Sequence, residues 1–167
     1  MNTVKFNFRM LHKLQARLAE VEKRSVKVGL LASTATRVPT RGDRMTHNPS
    51  LGAVHEFGLA YTIRSTGATV AIPQRSFIQM PLAQHLDATV RKDDTDWISS
   101  LMTRGVARTL QKLGKLAEDT IQEAFNTKGW GQWPALQPST VWSKKQNKTA
   151  ILIETTQMRK AITSEVI

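Results

Sequence analysis

Cysteine is absent from the 167 residues, so neither a disulfide nor a thiolate metal site can form. No apolar run approaches the roughly 20 residues that cross a bilayer, and the first residues carry no continuous hydrophobic signal region. The expectation is a soluble intracellular product, compatible with assembly in a reducing cytoplasm and without a membrane partner. Acidic residues are scarce too: 13 Asp and Glu against 24 Lys and Arg leave a net charge of +11. That excess favours an acidic partner surface or nucleic acid. Yet the cations are spread over Lys5 to Arg24, Arg37 to Arg44, Arg104 to Lys115 and Lys144 to Lys148, a pattern that fits solvated faces and subunit contacts better than one dedicated DNA site. The G-x-x-x-x-G-K-[ST], G-x-G-x-x-G and G-x-S-x-G patterns are also missing, which leaves nucleotide binding and acyl transfer without a foothold.

What is present reads as an ordinary globular chain. Hydrophobic residues make up 40% and charged residues 22%, enough to build a core without staples. No repeat or linker divides residues 1–167, so one α+β domain is expected, a small, mainly antiparallel sheet packed against one long helix and shorter helices. Phe8, Leu11, Leu14, Leu18 and Val21 recur every three or four positions and predict an N-terminal helix over about 7–25. Its stripe spans too few heptads for a coiled coil and is taken as core rather than as a docking face. Val26 to Leu31 alternates as a strand. Residues 33–50 are polar and rich in breakers and are expected to be a mobile loop. Leu51 to Phe57 should form a turn or two of helix ended by Gly58. Tyr61 to Arg64 and Ala68 to Ile72 should then form a hairpin, and Ser76 should cap a helix running towards Val90.

The strongest helical signal runs over about 94–126, from Ile98 through Leu110 and Leu113 to Phe125, with Asp93 and Asp94 at its acidic start. Gly105 and Gly114 within it imply a bend or a close approach, each costing about 1 kcal/mol against alanine. Trp130-Gly-Gln-Trp133-Pro134 reads as a rigid aromatic turn, and Pro138-Ser-Thr opens a short helix. Ala161 to Ile167 can close the fold as a last strand, beside Val26 to Leu31 and the hairpin.

Catalytic chemistry finds little support. His12, His47, His55 and His85 lie in four different predicted elements without ligand spacing, so no metal and no cofactor are expected. His55-Glu56 is the only adjacent base and acid pair. With one of Asp93, Asp94 or Asp96 it is the remotest reading, a metal-dependent hydrolase, but helix capping explains the aspartates more simply. Trp130 and Trp133 near Lys144, Lys145 and Lys148 could stack bases and hold phosphates, which makes a non-enzymatic nucleic-acid-binding protein the main competitor. The same indoles suit packing of a short helix on a long one, and that role is favoured.

Four motifs occur in order: Val54-His-Glu-Phe-Gly58, Ile72-Pro-Gln-Arg75-Ser-Phe77, Trp130-Gly-Gln-Trp133-Pro134 and Leu152-Ile-Glu-Thr-Thr156-Gln-Met-Arg159. In this order, around a long helix, they resemble the tail-completion or virion-morphogenesis proteins of tailed bacteriophages, which sit at the neck where head meets tail. The resemblance covers about Val26 to Ile167. The family ending reads more like L-I-D-T-G-Q-L-R, so Thr156 stands where glycine is usual, and a turn built differently is expected there. The resemblance implies a virion component without enzyme activity, assembled in the host cytoplasm, that completes the tail or neck as a ring. The implied partners are further copies of the chain in a cyclic homo-oligomer such as a hexamer, neighbouring neck and tail-tube proteins, and genomic DNA contacted without sequence recognition. Candidate interface residues are Arg75, Phe77, Trp130, Trp133 and Arg159, with Arg75 and Arg159 able to make bidentate bonds.

Overall fold

The computed structural model describes residues 8–36, 47–144, 149–153 and 156–167. The expected α+β architecture is present, with α1 (Phe8–Val21), β1 (Val26–Leu30), α2 (Asn48–Phe57), β2 (Leu59–Thr62), β3 (Thr69–Ile72) and α3 (Gln79–Lys92) in the first part. There follow α4 (Trp97–Thr103), α5 (Val106–Thr127), α6 (Pro138–Ser143), α7 (Gln157–Lys160) and β4 (Ile162–Val166).

The single sheet expected from the strand signals is instead two separate pairs. β1 runs antiparallel to β4, from Val26 opposite Val166 to Leu30 opposite Ile162, whereas β2 and β3 pair only with each other. Alternation identifies strands but not their partners, because pairing is non-local. The β1–β4 ribbon lies on α5, and Gly114 permits the approach: a Cβ there would stand 2.6 Å from Ser164 Oγ and 3.2 Å from Val26 Cγ1. Of the two readings open for a helix glycine, Gly114 is the close contact and Gly105 is the bend.

At Gly105 the expected 94–126 helix breaks in two. The residue sits at φ 85, ψ 168 between α4 and α5, a conformation that only glycine adopts without strain. The acidic start also shifts: α4 begins at Trp97, and Asp96, not Asp93 or Asp94, accepts from Ser99 N at 2.9 Å as its cap. Ser100 and Thr109 hydroxyls meet across the bend at 3.1 Å and hold the two helices together.

Phe77, Ile121, Ala124, Phe125, Trp133 and Met158 form the centre of the core. On α5 the buried apolar side chains are Val106, Leu116, Ala117, Ile121, Ala124 and Phe125; Leu110 and Leu113, which periodicity places in the core, are half-buried. The N-terminal stripe is corrected further. No residue of α1 is buried, and Leu11 and Leu18 stay 37% and 47% exposed. The helix leans on α4 and α5 by its flank, where Leu14, Arg17 and Val21 are half-buried and the Arg17 guanidinium lies against Gly105.

Both ends of the expected loop over 33–50 are structured. Thr36 bridges to His47, and Asn48, only 2% exposed, donates its amide to Thr34 O and Thr36 O while opening α2. Residues 37–46 lie outside the described residues, as do Lys145, Lys148 and Glu154 of the sequence reading.

Candidate functional site

The first three motifs interlock through hydrogen bonds, and the fourth joins the same core through α5. Glu56 of the first is 6% exposed, and its carboxylate faces the start of α3. It accepts from the backbone amides of Phe77 (2.8 Å), Ile78 (3.0 Å) and Gln79 (2.9 Å) and from the Ser76 hydroxyl (2.6 Å). An anion at a helix N-terminus meets both the free amides and the positive end of the helix dipole. Ser76 Oγ, the expected cap, also accepts from Met80 N at 2.9 Å. The helix therefore opens at Gln79 rather than at Ser76, with Glu56 supplying most of the cap from a distant element.

Arg75 of the second motif is 5% exposed and reaches the third. Its Nε donates to Pro134 O at 3.0 Å and its Nη2 to Ala135 O at 3.1 Å, while its amide donates to His55 O at 2.7 Å. Burial lowers the guanidinium pKa from its ordinary value, because desolvation disfavours the charged form. The side chain stays a cation and acts as a fork that clamps the turn after Trp133.

Trp133 returns the contact. Its Nε1 donates to Ser76 O at 3.0 Å, and its ring stands edge-on to Phe125 with centroids 5.7 Å apart. Phe77, fully buried, packs on the same Phe125 at 5.5 Å. Gly129, at φ 64, sits directly beneath the Trp133 indole, where a Cβ would collide with the ring. Trp130, at φ 50, stacks on His85 of α3 at 3.5 Å. The two indoles therefore pin the turn to α3 and its lead-in: Trp133 is buried, and Trp130, half-buried, has one face on His85.

Arg159 of the fourth motif is committed to α5. Nε donates to Gln122 Oε1 and Nη2 to Asn126 Oδ1, both at 2.7 Å, and the guanidinium lies 5.7 Å from the Phe125 ring centroid. Gln122 answers by donating to Arg159 O at 3.0 Å. Just before it, Thr156 takes φ 62, ψ −2. The turn expected to be rebuilt without glycine instead keeps the left-handed backbone and imposes it on a β-branched residue.

Among the candidate interface residues, Arg75, Phe77 and Trp133 are thus internal, and Trp130 and Arg159 are half-buried with their polar or stacking contacts made inside the subunit. A neighbour cannot reach Phe77 without opening the core. The exposed large apolar groups are different ones, among them Phe8, Leu11 and Leu18 on α1, Phe57 at the end of α2, Leu59 and Tyr61 on β2 with Ile63 just beyond it, Ile98 on α4 and Trp142 on α6, which is 90% exposed. Periodicity marks the Leu11 and Leu18 stripe, Ile98 and the strand at Tyr61 and Ile63 as faces that prefer cover, but the described residues leave them exposed.

The hydrolase constellation is not assembled. Glu56 is occupied at the N-terminus of α3, whereas Asp93 follows its C-terminus, about 20 Å away along a 14-residue helix at 1.5 Å per residue. Asp93 there pairs with Lys112 at 2.7 Å and accepts from Thr95 N at 3.1 Å; those bonds, Lys112 first, hold its pKa below the usual carboxylate value. Among the described residues no group of three His, Asp or Glu side chains could hold a metal ion. No described helix is long and apolar enough to cross a membrane.

Compared with protein-family models, with curated proteins and with solved structures, the chain gave no match in any of the three.

Proposed function

We propose that this chain is a structural virion protein that completes the tail or neck of a tailed bacteriophage, forming a ring between the head connector and the tail. The observation that supports the reading most is the joint just described. The first three motifs that carry the resemblance meet in one hydrogen-bonded unit, in which Glu56 holds the start of α3 and Arg75 and Trp133 tie that start to the aromatic turn, and the fourth packs on the same core through α5, where Arg159 bonds Gln122 and Asn126 and lies over Phe125. Motif residues given over to a shared scaffold suit a subunit whose function is its contacts, and the exposed apolar groups outside the scaffold suit assembly. The positive charge serves acidic neighbours in the neck or passing DNA without reading its sequence.

Virions produced without the protein should accumulate unjoined heads and tails or incomplete tails, and the purified protein should form rings under the electron microscope. Joined, infectious particles lacking it would refute the neck role. The nucleic-acid reading keeps one observation in its favour, the exposed Trp142 on a chain of net charge +11. Binding to one DNA sequence that persists at physiological salt would promote it, whereas weak binding that falls steeply with salt is the behaviour expected of a neck protein touching phosphates.

A further inference from the structure

Two apolar features, Leu11 with Leu18 and a groove, lie at opposite ends of α5, and the described residues leave both open. One is α1, whose Leu11 and Leu18, seven residues apart on one face, are exposed while the helix leans on the Gly105 end of α5. The other is a groove of about 470 Å³ between β3 and the α6–α7 region, walled by Val70, Ile72, Leu136, Leu152 and Ile153 with Thr140 on its rim. α7, which forms one wall, is bonded to α5 at Gln122 and Asn126. Seventeen residues separate Gly105 from Gln122, which at 1.5 Å per residue places helix and groove about 25 Å apart. They cannot meet within one chain.

We infer that α1 of one copy docks its Leu11 and Leu18 face into this groove of the next copy. The proposal rests on the reading that the chain assembles with itself. An amphipathic helix presenting anchors at i and i+7 to an apolar groove is a common mode of recognition. Several features favour a second copy as the occupant. The groove's β3 wall belongs to a segment, residues 59 to 74, with one charged residue, Arg64, in a chain of net charge +11, and the two cations that also line it are engaged within the chain, Arg75 on Pro134 O and Ala135 O and Lys144 on Ala150 O and Ile153 O; like-charged copies approach most easily where charge is sparse or already satisfied. The β2–β3 hairpin also lacks the lysines and bulges that usually guard an open edge, and an isolated two-stranded ribbon gains most from a cover. Because helix and groove are different patches, the contact is head to tail, the type that closes into a ring when the rotation per subunit allows.

Complementation between two variants tests this. Leu11→Glu with Leu18→Glu breaks the helix face, and Val70→Arg breaks the groove; Thr140→Arg on the exposed rim replaces the latter if Val70→Arg melts early. Native mass spectrometry should show an oligomer for the unaltered chain, monomers for each variant at the same concentration with self-association weakened about tenfold or more, and a one-to-one dimer when the two variants are mixed. The mixture retains one intact helix and one intact groove, so it can make a single contact and no more. Variants that still assemble like the parent, or a mixture that stays monomeric, would overturn this contact while leaving the ring reading in place. A parent chain that remains monomeric at its highest soluble concentration would overturn both.

Discussion

Replacing Glu56 should destabilise the protein more than any surface carboxylate could. Its two oxygens accept three backbone amides and a hydroxyl at 2.6 to 3.0 Å, and no other described side chain caps α3 so fully. A hydrogen bond to a charged group contributes about 1.5–3 kcal/mol. The amide of Phe77 is buried, while those of Ile78 and Gln79 are part-buried and can recover water. Counting the first in full and the others at about half, Glu56→Ala should cost about 4 kcal/mol, a large share of the roughly 5–15 kcal/mol that holds a domain together. Glu56→Gln preserves the shape but turns an NH2 towards donors, so about 2 kcal/mol should be lost. Urea unfolding followed by tryptophan fluorescence measures both, and with a slope of about 2 kcal/mol per molar the midpoint should fall by about 2 M for the alanine and about 1 M for the glutamine. A glutamine variant whose midpoint matches the parent would refute the idea that the carboxylate's charge and acceptors organise this joint.

Thr156 offers the opposite perturbation. Thr156→Gly should raise stability by about 0.5–1 kcal/mol by relieving the left-handed strain, net of glycine's extra entropy, and a Tm at or below the parent's would contradict that. Gly114→Ala should destabilise by about 2 kcal/mol, because the new methyl meets Ser164 and Val26 across α5 in a contact that must shift to admit it; scanning calorimetry resolves a loss of that size. Asp93 carries the acid dependence that can be assigned. Its folded pKa is lowered from 3.8 chiefly by the Lys112 hydrogen bond, so its contribution is present above that value and is lost as pH falls through the lower, folded pKa. Asp93→Asn should therefore flatten the acid limb of a stability-against-pH curve, and parallel limbs in parent and variant would show that the pair contributes nothing.

The amino-acid sequence by itself determined the α+β class, most of the helices and all four strands to within a few residues, because periodicity, caps and breakers are local. Glycine and proline marked real boundaries at Gly58, Pro73, Gly129 and Pro138. That the two indoles pack inside the fold was legible too, although they hold the turn to α3 and its lead-in rather than a short helix to a long one. What only the tertiary structure decided concerns partners distant in the chain. Whether Gly105 bends a helix or admits a neighbour depends on the backbone it adopts. Which strands pair depends on contacts more than a hundred residues apart, as between Val26 and Val166. Glu56 looked like half of a base and acid pair because His55 adjoins it in sequence, and became a cap because α3 begins beside it in space. The N-terminal stripe was correctly read as amphipathic, but amphipathicity states only that a face prefers cover. Whether the chain itself supplies that cover is settled by where the helix lies, and α1 rests on its flank with Leu11 and Leu18 turned to solvent.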